Sequence, residues 1–211
     1  MKKQVLSLCV LALPCLLLAS CAGMLRAKEN IVIEQASVKP GESVTKKGTP
    51  LKLMGTPLRE GDSFPVAGLT DAATMAALDP SEMKGSVLIV SVVPSIDTKV
   101  CEEQTHYLGE EGDRLSPGIA RITVSRDTPF AQTRFAEEAK LTDIRYLSDY
   151  KEGEFGKSTG LLIENLRLLA RSVILVDKSG VVRYIQVVPE ITHLPDMEDA
   201  FSRAEELLKE Q

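Results

Sequence analysis

From about residue 87 onward, continuous β-branched stretches alternate with stretches whose apolar positions recur at helical spacing. Val87-Leu88-Ile89-Val90 has no polar interruption, the pattern of a strand covered on both faces of a sheet. Ile119 to Val124 and Ile144 to Leu147 read as two more strands. Between them the pattern predicts a helix from about Thr98 and another from Pro129 to about Lys140, with Pro129 well suited to a first helical turn. Glu152 to Lys157 fits one helical turn. Val173 to Val176 and Val181 to Val188 are joined by Asp177-Lys178-Ser179-Gly180, a short glycine-containing link that predicts an antiparallel hairpin. Met197 to Lys209 places Met197, Ala200, Phe201, Ala204, Leu207 and Leu208 on one face of a closing helix.

Upstream the signals are shorter. Pro50 to Met54 and Ser63 to Leu69 are strand-like runs bounded by Gly55, Pro57, Gly61 and Gly68, and together they predict an N-terminal hairpin added to the sheet. Strand, helix, strand, helix, strand, strand, helix is the order of a thioredoxin-like α/β fold. Residues 22–49 are mostly polar or small around Ile31-Val32-Ile33 and read as a tether. At the start, Met1-Lys2-Lys3 precedes an almost wholly apolar run from Val5 to Ala19, the pattern of a secretory signal. That run is shorter than the roughly 20 residues needed to span a bilayer, and it ends in Leu18-Ala19-Ser20-Cys21. The quartet resembles the lipobox of bacterial lipoproteins, which implies cleavage before Cys21 and acylation of Cys21 as the new N-terminus. The expected plan is a signal over residues 1–20, a lipidated tether over 21–48 and a folded domain over 49–211. The expected location is an extracytoplasmic membrane face.

Composition adds two constraints. The formal charge is -5, and losing Lys2 and Lys3 with the signal would move it to -7, a balance that disfavours nucleic acid and anionic lipid as partners. Of the four cysteines, Cys9 and Cys15 would leave with the signal and Cys21 would carry lipid, so Cys101 remains the single side-chain thiol. An internal disulfide is then impossible. A lone thiol in an exported protein is exposed to oxidation, which gives a reason to look for its chemistry.

The segment Val92-Val93-Pro94-Ser95-Ile96-Asp97-Thr98-Lys99-Val100-Cys101 runs from a strand end into a first helical turn. Strand ends of open α/β sheets are where ligands bind. The unpaired N–H groups and positive dipole end of a first turn favour thiolate over thiol. Thr98, three residues before Cys101, shares a helical face with it and can reach the sulfur. Pro94 fixes the loop backbone and removes one donor from it. From the residues alone two readings stay open, a nucleophile and a buried structural thiol.

Pro94, Thr98 and Cys101 stand in a Pro-x-x-x-Thr-x-x-Cys pattern that resembles peroxiredoxins, and Pro-Ser-Ile-Asp-Thr-Lys-Val-Cys is similar to their thiol peroxidase group. Two further stretches agree, Thr128-Pro129-Phe130-Ala131-Gln132-Thr133-Arg134-Phe135 and Leu169-Ala170-Arg171-Ser172-Val173-Ile174-Leu175-Val176-Asp177. The resemblance implies a thioredoxin-like fold with a central mixed sheet flanked by helices. It also implies peroxide reduction through Cys101, helped by Thr98, Pro94 and Arg171, with no cofactor and no metal. A guanidinium facing the sulfur suits that chemistry because it stabilises negative charge on sulfur and on oxygen. Arg126 and Arg134 are weaker cationic candidates.

The chain departs from that group at Ala136, where its members usually carry a second, resolving cysteine. Regeneration then requires an external thiol, a thioredoxin-like protein or a small molecule. A homodimer is expected by analogy with the family. Two rival functions are a non-catalytic thioredoxin-like binding module and a one-cysteine redox sensor. His106 and His193 lack a second ligand type at metal spacing, and Glu102 and Glu103 read as helix-surface residues. Tyr107, Phe130, Phe135 and Phe155 are expected in the core rather than in a peroxide pocket or a dimer face.

Overall fold

The structure, a computed structural model, describes residues 30–210. The signal over 1–20 and the lipid site Cys21 lie outside the described residues. In chain order the strands and helices are β1 (Ile33–Glu34), β2 (Ser43–Lys46), β3 (Thr49–Met54), β4 (Thr70–Asp71), β5 (Val87–Val92), α1 (Lys99–Glu110), β6 (Ile119–Ser125), α2 (Pro129–Ala139) and β7 (Arg145–Ser148). They continue with α3 (Glu154–Thr159), β8 (Leu162–Ile163), β9 (Ser172–Val176), β10 (Val182–Val187), β11 (Leu194–Pro195) and α4 (Met197–Lys209).

Six strands form the central sheet in the order β10-β9-β5-β6-β7-β4. β5, β6 and β7 run parallel, while β9 is antiparallel to β5, β10 to β9 and β4 to β7, so the sheet is mixed as expected. Side chains of a strand point alternately to opposite faces. On β5 this sends Leu88, Val90 and Val92 into one core and Val87 and Ile89 into another. The second core is closed by α1, α2 and α4 through Leu108, Ala136, Ala200, Phe201 and Ala204. The first is closed by Phe155 of α3 and by a small sheet of order β2-β3-β8. A predominantly apolar strand suits a sheet with both faces covered, and all six residues of β5 are buried, Ser91 among them.

The N-terminal hairpin differs from expectation. It pairs β2 with β3, register Val44 to Leu51, and Ser63 to Leu69 contributes only one bridge, Ser63 to Val181. Its turn is Lys47-Gly48, both at positive φ (50 and 78), the backbone that a two-residue hairpin turn demands. In sequence Lys46-Lys47-Gly48 looks like solvated linker because nothing apolar marks it. Gly68, also at positive φ, interrupts the downstream run near its end.

The expected tether over 21–48 is therefore too long at its C-terminal end. Residues 31–48 belong to the folded body: β1 pairs in parallel with β11, Leu194 N–H donates to the Val32 carbonyl, and Val38 N–H to the Val187 carbonyl. Backbone pairing with distant β10 and β11, which local composition does not reveal, fixes this stretch.

Candidate active site

β5 ends at Val92, and the chain bends through Pro94, which is buried, before α1 begins with Thr98 as its N-cap. An N-cap threonine usually turns its hydroxyl back on the helix N–H groups. Thr98 does not: its Oγ1 lies 2.9 Å from Cys101 Sγ and 3.1 Å from the Ser95 carbonyl oxygen. The hydroxyl has one hydrogen, so it can serve the sulfur only by leaving Ser95. Thr98 and Cys101 thus meet within one turn.

Arg171, the residue before β9, reaches the same sulfur from the strand next to β5. Its Nη2 lies 3.3 Å from Cys101 Sγ, its Nη1 donates to Gln104 Oε1 at 2.7 Å, and its Nε donates to the Ile191 carbonyl at 2.9 Å. The side chain is only 2% exposed. A buried charge is costly unless something of opposite charge compensates it. Among the described residues no carboxylate pairs with Arg171, and the sulfur is the one partner able to become anionic.

Two residues absent from the sequence reading build this site. Gln104 is fully buried on α1, three residues after Cys101 and so on the same helical face, and its Nε2 donates to Ser91 Oγ at 2.8 Å while its Oε1 receives Arg171. The spacing from Cys101 was the available signal, and a glutamine on a helix is too common to act on without knowing that the position is buried. Asp127, in the turn after β6, accepts from Ser95 Oγ at 2.7 Å and from Ile96 N–H at 2.8 Å. It holds the loop that carries Pro94 and Thr98, a partnership across 31 residues that sequence does not mark.

Cys101 is fully buried, packed with Val93 and Ile96 and with Phe135 against them. The weaker cationic candidates do not reach it. Arg126 donates to the carbonyls of Asp149, Tyr150, Lys151 and Arg167, and exposed Arg134 lies 3.5 Å from Asp97. Ala136 sits in the core beneath α2 with Leu141 and Tyr146. His106 pairs with Glu110 and His193 with Glu34. Phe155 is a core residue with its ring tilted against Phe64, whereas Phe130, expected inside, is 73% exposed in the first turn of α2.

Comparison with known proteins gives a consistent picture. The Redoxin family profile matches residues 59–201. The chain is 42% identical over 167 residues to a protein named thiol peroxidase in Halalkalibacterium halodurans, covering 79% of this chain and 99% of that one. It is 40% identical over 167 residues to the thiol peroxidase of Bacillus subtilis, covering 79% and 98%. Among solved structures, a peroxiredoxin-like protein from Aquifex aeolicus superposes with a TM-score of 0.71 at 34% identity, covering 79% of this chain and 97% of that one.

Proposed function

Because the chain belongs to the Redoxin family, within its thiol peroxidase group, we propose that it reduces hydrogen peroxide or organic hydroperoxides through Cys101. The observation that carries the reading is the buried guanidinium of Arg171, with no carboxylate partner among the described residues and 3.3 Å from Cys101 Sγ. Guanidinium and hydroxyl donors can make charge-assisted hydrogen bonds to an anionic sulfur, and the thiolate is the nucleophile. The thiolate attacks one peroxide oxygen in line with the O–O bond. That oxygen is transferred to sulfur as sulfenic acid, and the other leaves as water or an alcohol after taking a proton. Negative charge grows on the leaving oxygen, and Arg171, Thr98 and the backbone amide of Cys101 are the donors assigned to meet it. Pro94 shapes the approach by fixing the bend.

A fully buried sulfur must be uncovered for this to happen. Asp97, Thr98 and Lys99 are exposed, and we infer that peroxide enters through loosening of this first turn of α1.

An external thiol then attacks the sulfenic sulfur, releasing water and leaving a mixed disulfide that a second thiol reduces. Cys101 is the only cysteine among the described residues, consistent with a reductant from outside. We further infer acylation at Cys21, attachment to the extracytoplasmic face of a membrane, and homodimer formation. A non-catalytic binding module or a sensor is less favoured, since the relatives compared are named thiol peroxidases and a binding role gives no reason to aim buried Arg171 at a sulfur.

The test is stopped-flow peroxide oxidation of the chain beside Cys101→Ser and Arg171→Met. Loss of peroxide consumption in the serine variant, and a rate reduced roughly 100-fold or more in the methionine variant, are expected. Undiminished consumption by Cys101→Ser sinks the proposal.

A further inference from the structure

Arg171 owes its aim to more than the residues around the sulfur. Its Nε donates to the Ile191 carbonyl, so the position of that one peptide group helps set the direction of the guanidinium. The Ile191 N–H donates to the Thr45 carbonyl, and the Thr45 N–H to the Pro189 carbonyl at 2.6 Å, so the segment that presents Ile191 is docked on β2. Between those two backbone bonds lies Glu190. Its Oε2 accepts from Thr45 Oγ1 at 2.9 Å and from Gly48 N–H at 3.1 Å, and its Oε1 from Thr192 Oγ1 at 2.8 Å and Thr192 N–H at 3.2 Å.

We propose that Glu190 is a positioning residue for Arg171, its carboxylate clasping the β2–β3 turn to the segment that presents the Ile191 carbonyl and so fixing the guanidinium on the Cys101 sulfur. The clasp joins parts of the chain that the family match treats unequally, because residues 45–48 precede its first matched residue, 59. It rests on the peroxidase reading only for its benefit to rate; its geometry stands without that reading.

Every group named around the Glu190 carboxylate is a donor, which makes glutamine a discriminating substitute. Glu190→Gln keeps the shape but places an NH₂ against a backbone N–H that can only donate, Gly48 or Thr192 according to which way the amide turns, and it removes the charge, so the clasp is weakened with little change in volume. Burial alone would push the Glu190 carboxyl up, but the N–H groups of Lys47 and Gly48 and the hydroxyls of Thr192 and Thr45 outweigh it and hold the group at about 2. The clasp is therefore closed throughout the neutral range.

Two readouts on the full chain test this. One is the second-order rate of Cys101 oxidation by hydrogen peroxide. The other is the pH profile of Cys101 alkylation by iodoacetamide, read by mass spectrometry of the peptide carrying that residue so that other cysteines do not interfere. Glu190→Gln is expected to slow oxidation about tenfold and move the alkylation profile to higher pH, and in an Arg171→Met background to change either by less than about twofold. A folded Glu190→Gln protein with the parent rate and profile overturns the proposal, as does an equal loss in both backgrounds. If Glu190→Gln does not fold, Thr45→Val, which removes one donor and leaves the backbone bonds, is expected to slow oxidation about threefold with the same dependence on Arg171. An unchanged Thr45→Val rate then overturns it. Should the parent fail to consume peroxide while Glu190→Gln still shifts the alkylation profile, the peroxidase reading falls and the clasp stands.

Discussion

The guanidinium of Arg171 has donors in three separate directions, and each is aimed at a different group: a carbonyl through Nε, an amide oxygen through Nη1 and the Cys101 sulfur through Nη2. Lysine also has three N–H donors, but all on one nitrogen, so it cannot reach partners spread over the three nitrogens of a guanidinium. Arg171→Lys is accordingly expected to lose nearly as much rate as Arg171→Met, within about threefold by stopped-flow oxidation. A lysine variant retaining the parent rate would show that charge alone suffices. Gln104→Leu removes the acceptor of Nη1 from a fully buried place. It is expected to slow Cys101 oxidation about tenfold and to lower the melting temperature as well, since a buried donor is left unpaired. At this scale Cys101, Thr98 and Arg171 were legible through the family motifs that carry them, and the helical spacing of Thr98 and Cys101 agreed without deciding between a nucleophile and a structural thiol. Gln104, Asp127 and Glu190 were not, because each acts by where its polar atoms end up after burial, which residue type does not state.

Elements were legible in proportion to how much of their stability is local. α4 runs from Met197 to Lys209 as read, since one apolar face and an acidic first turn define it within 13 residues. The β2–β3 hairpin was displaced by about one strand, since its turn depends on Lys47 and Gly48 adopting positive φ while its apolar residues Val44, Leu51 and Leu53 become meaningful only against Leu162 and Phe155. Gly55, just after β3, shows how closely that hairpin is packed. It has a φ of 114, and a Cβ there would come within 2.0 Å of the Lys157 carbonyl oxygen at the end of α3. Gly55→Ala is expected to destabilise the domain by ~2 kcal/mol or more, through both backbone strain and displacement of a rigid carbonyl. Chemical denaturation measures this, and an unchanged midpoint would show that β3 and α3 are free to separate.

For the whole molecule, acid stability follows from two saturated carboxylates. Burial alone would push Asp177 up, but the Val181 N–H, the Ser179 hydroxyl and the Arg183 guanidinium outweigh it and hold Asp177, like Glu190, at about 2. A carboxyl held below its unfolded value stabilises the fold above that value and loses the contribution as pH falls toward the folded one. Melting temperature is therefore expected to fall between about pH 4.5 and pH 2, and Asp177→Asn to flatten part of that slope. An unaltered slope in the asparagine variant would place the acid sensitivity elsewhere. Lipid attachment is tested separately: radiolabelled palmitate should enter the parent in bacterial cells and fail to enter Cys21→Ser.

The alternation of apolar strands and amphipathic helices, the family motif and the single thiol of the folded domain were fixed by the sequence itself, because each depends on residue type at short spacing. Only the tertiary structure decided that residues 31–48 are part of the body, that the sulfur is covered, and that the arginine facing it is held by Gln104 and Ile191. Those outcomes depend on hydrogen bonds between residues far apart in the chain, Val38 with Val187 for the N-terminal stretch and Arg171 with Gln104 and Ile191 for the arginine, and on which polar groups water no longer reaches, and a linear pattern records neither.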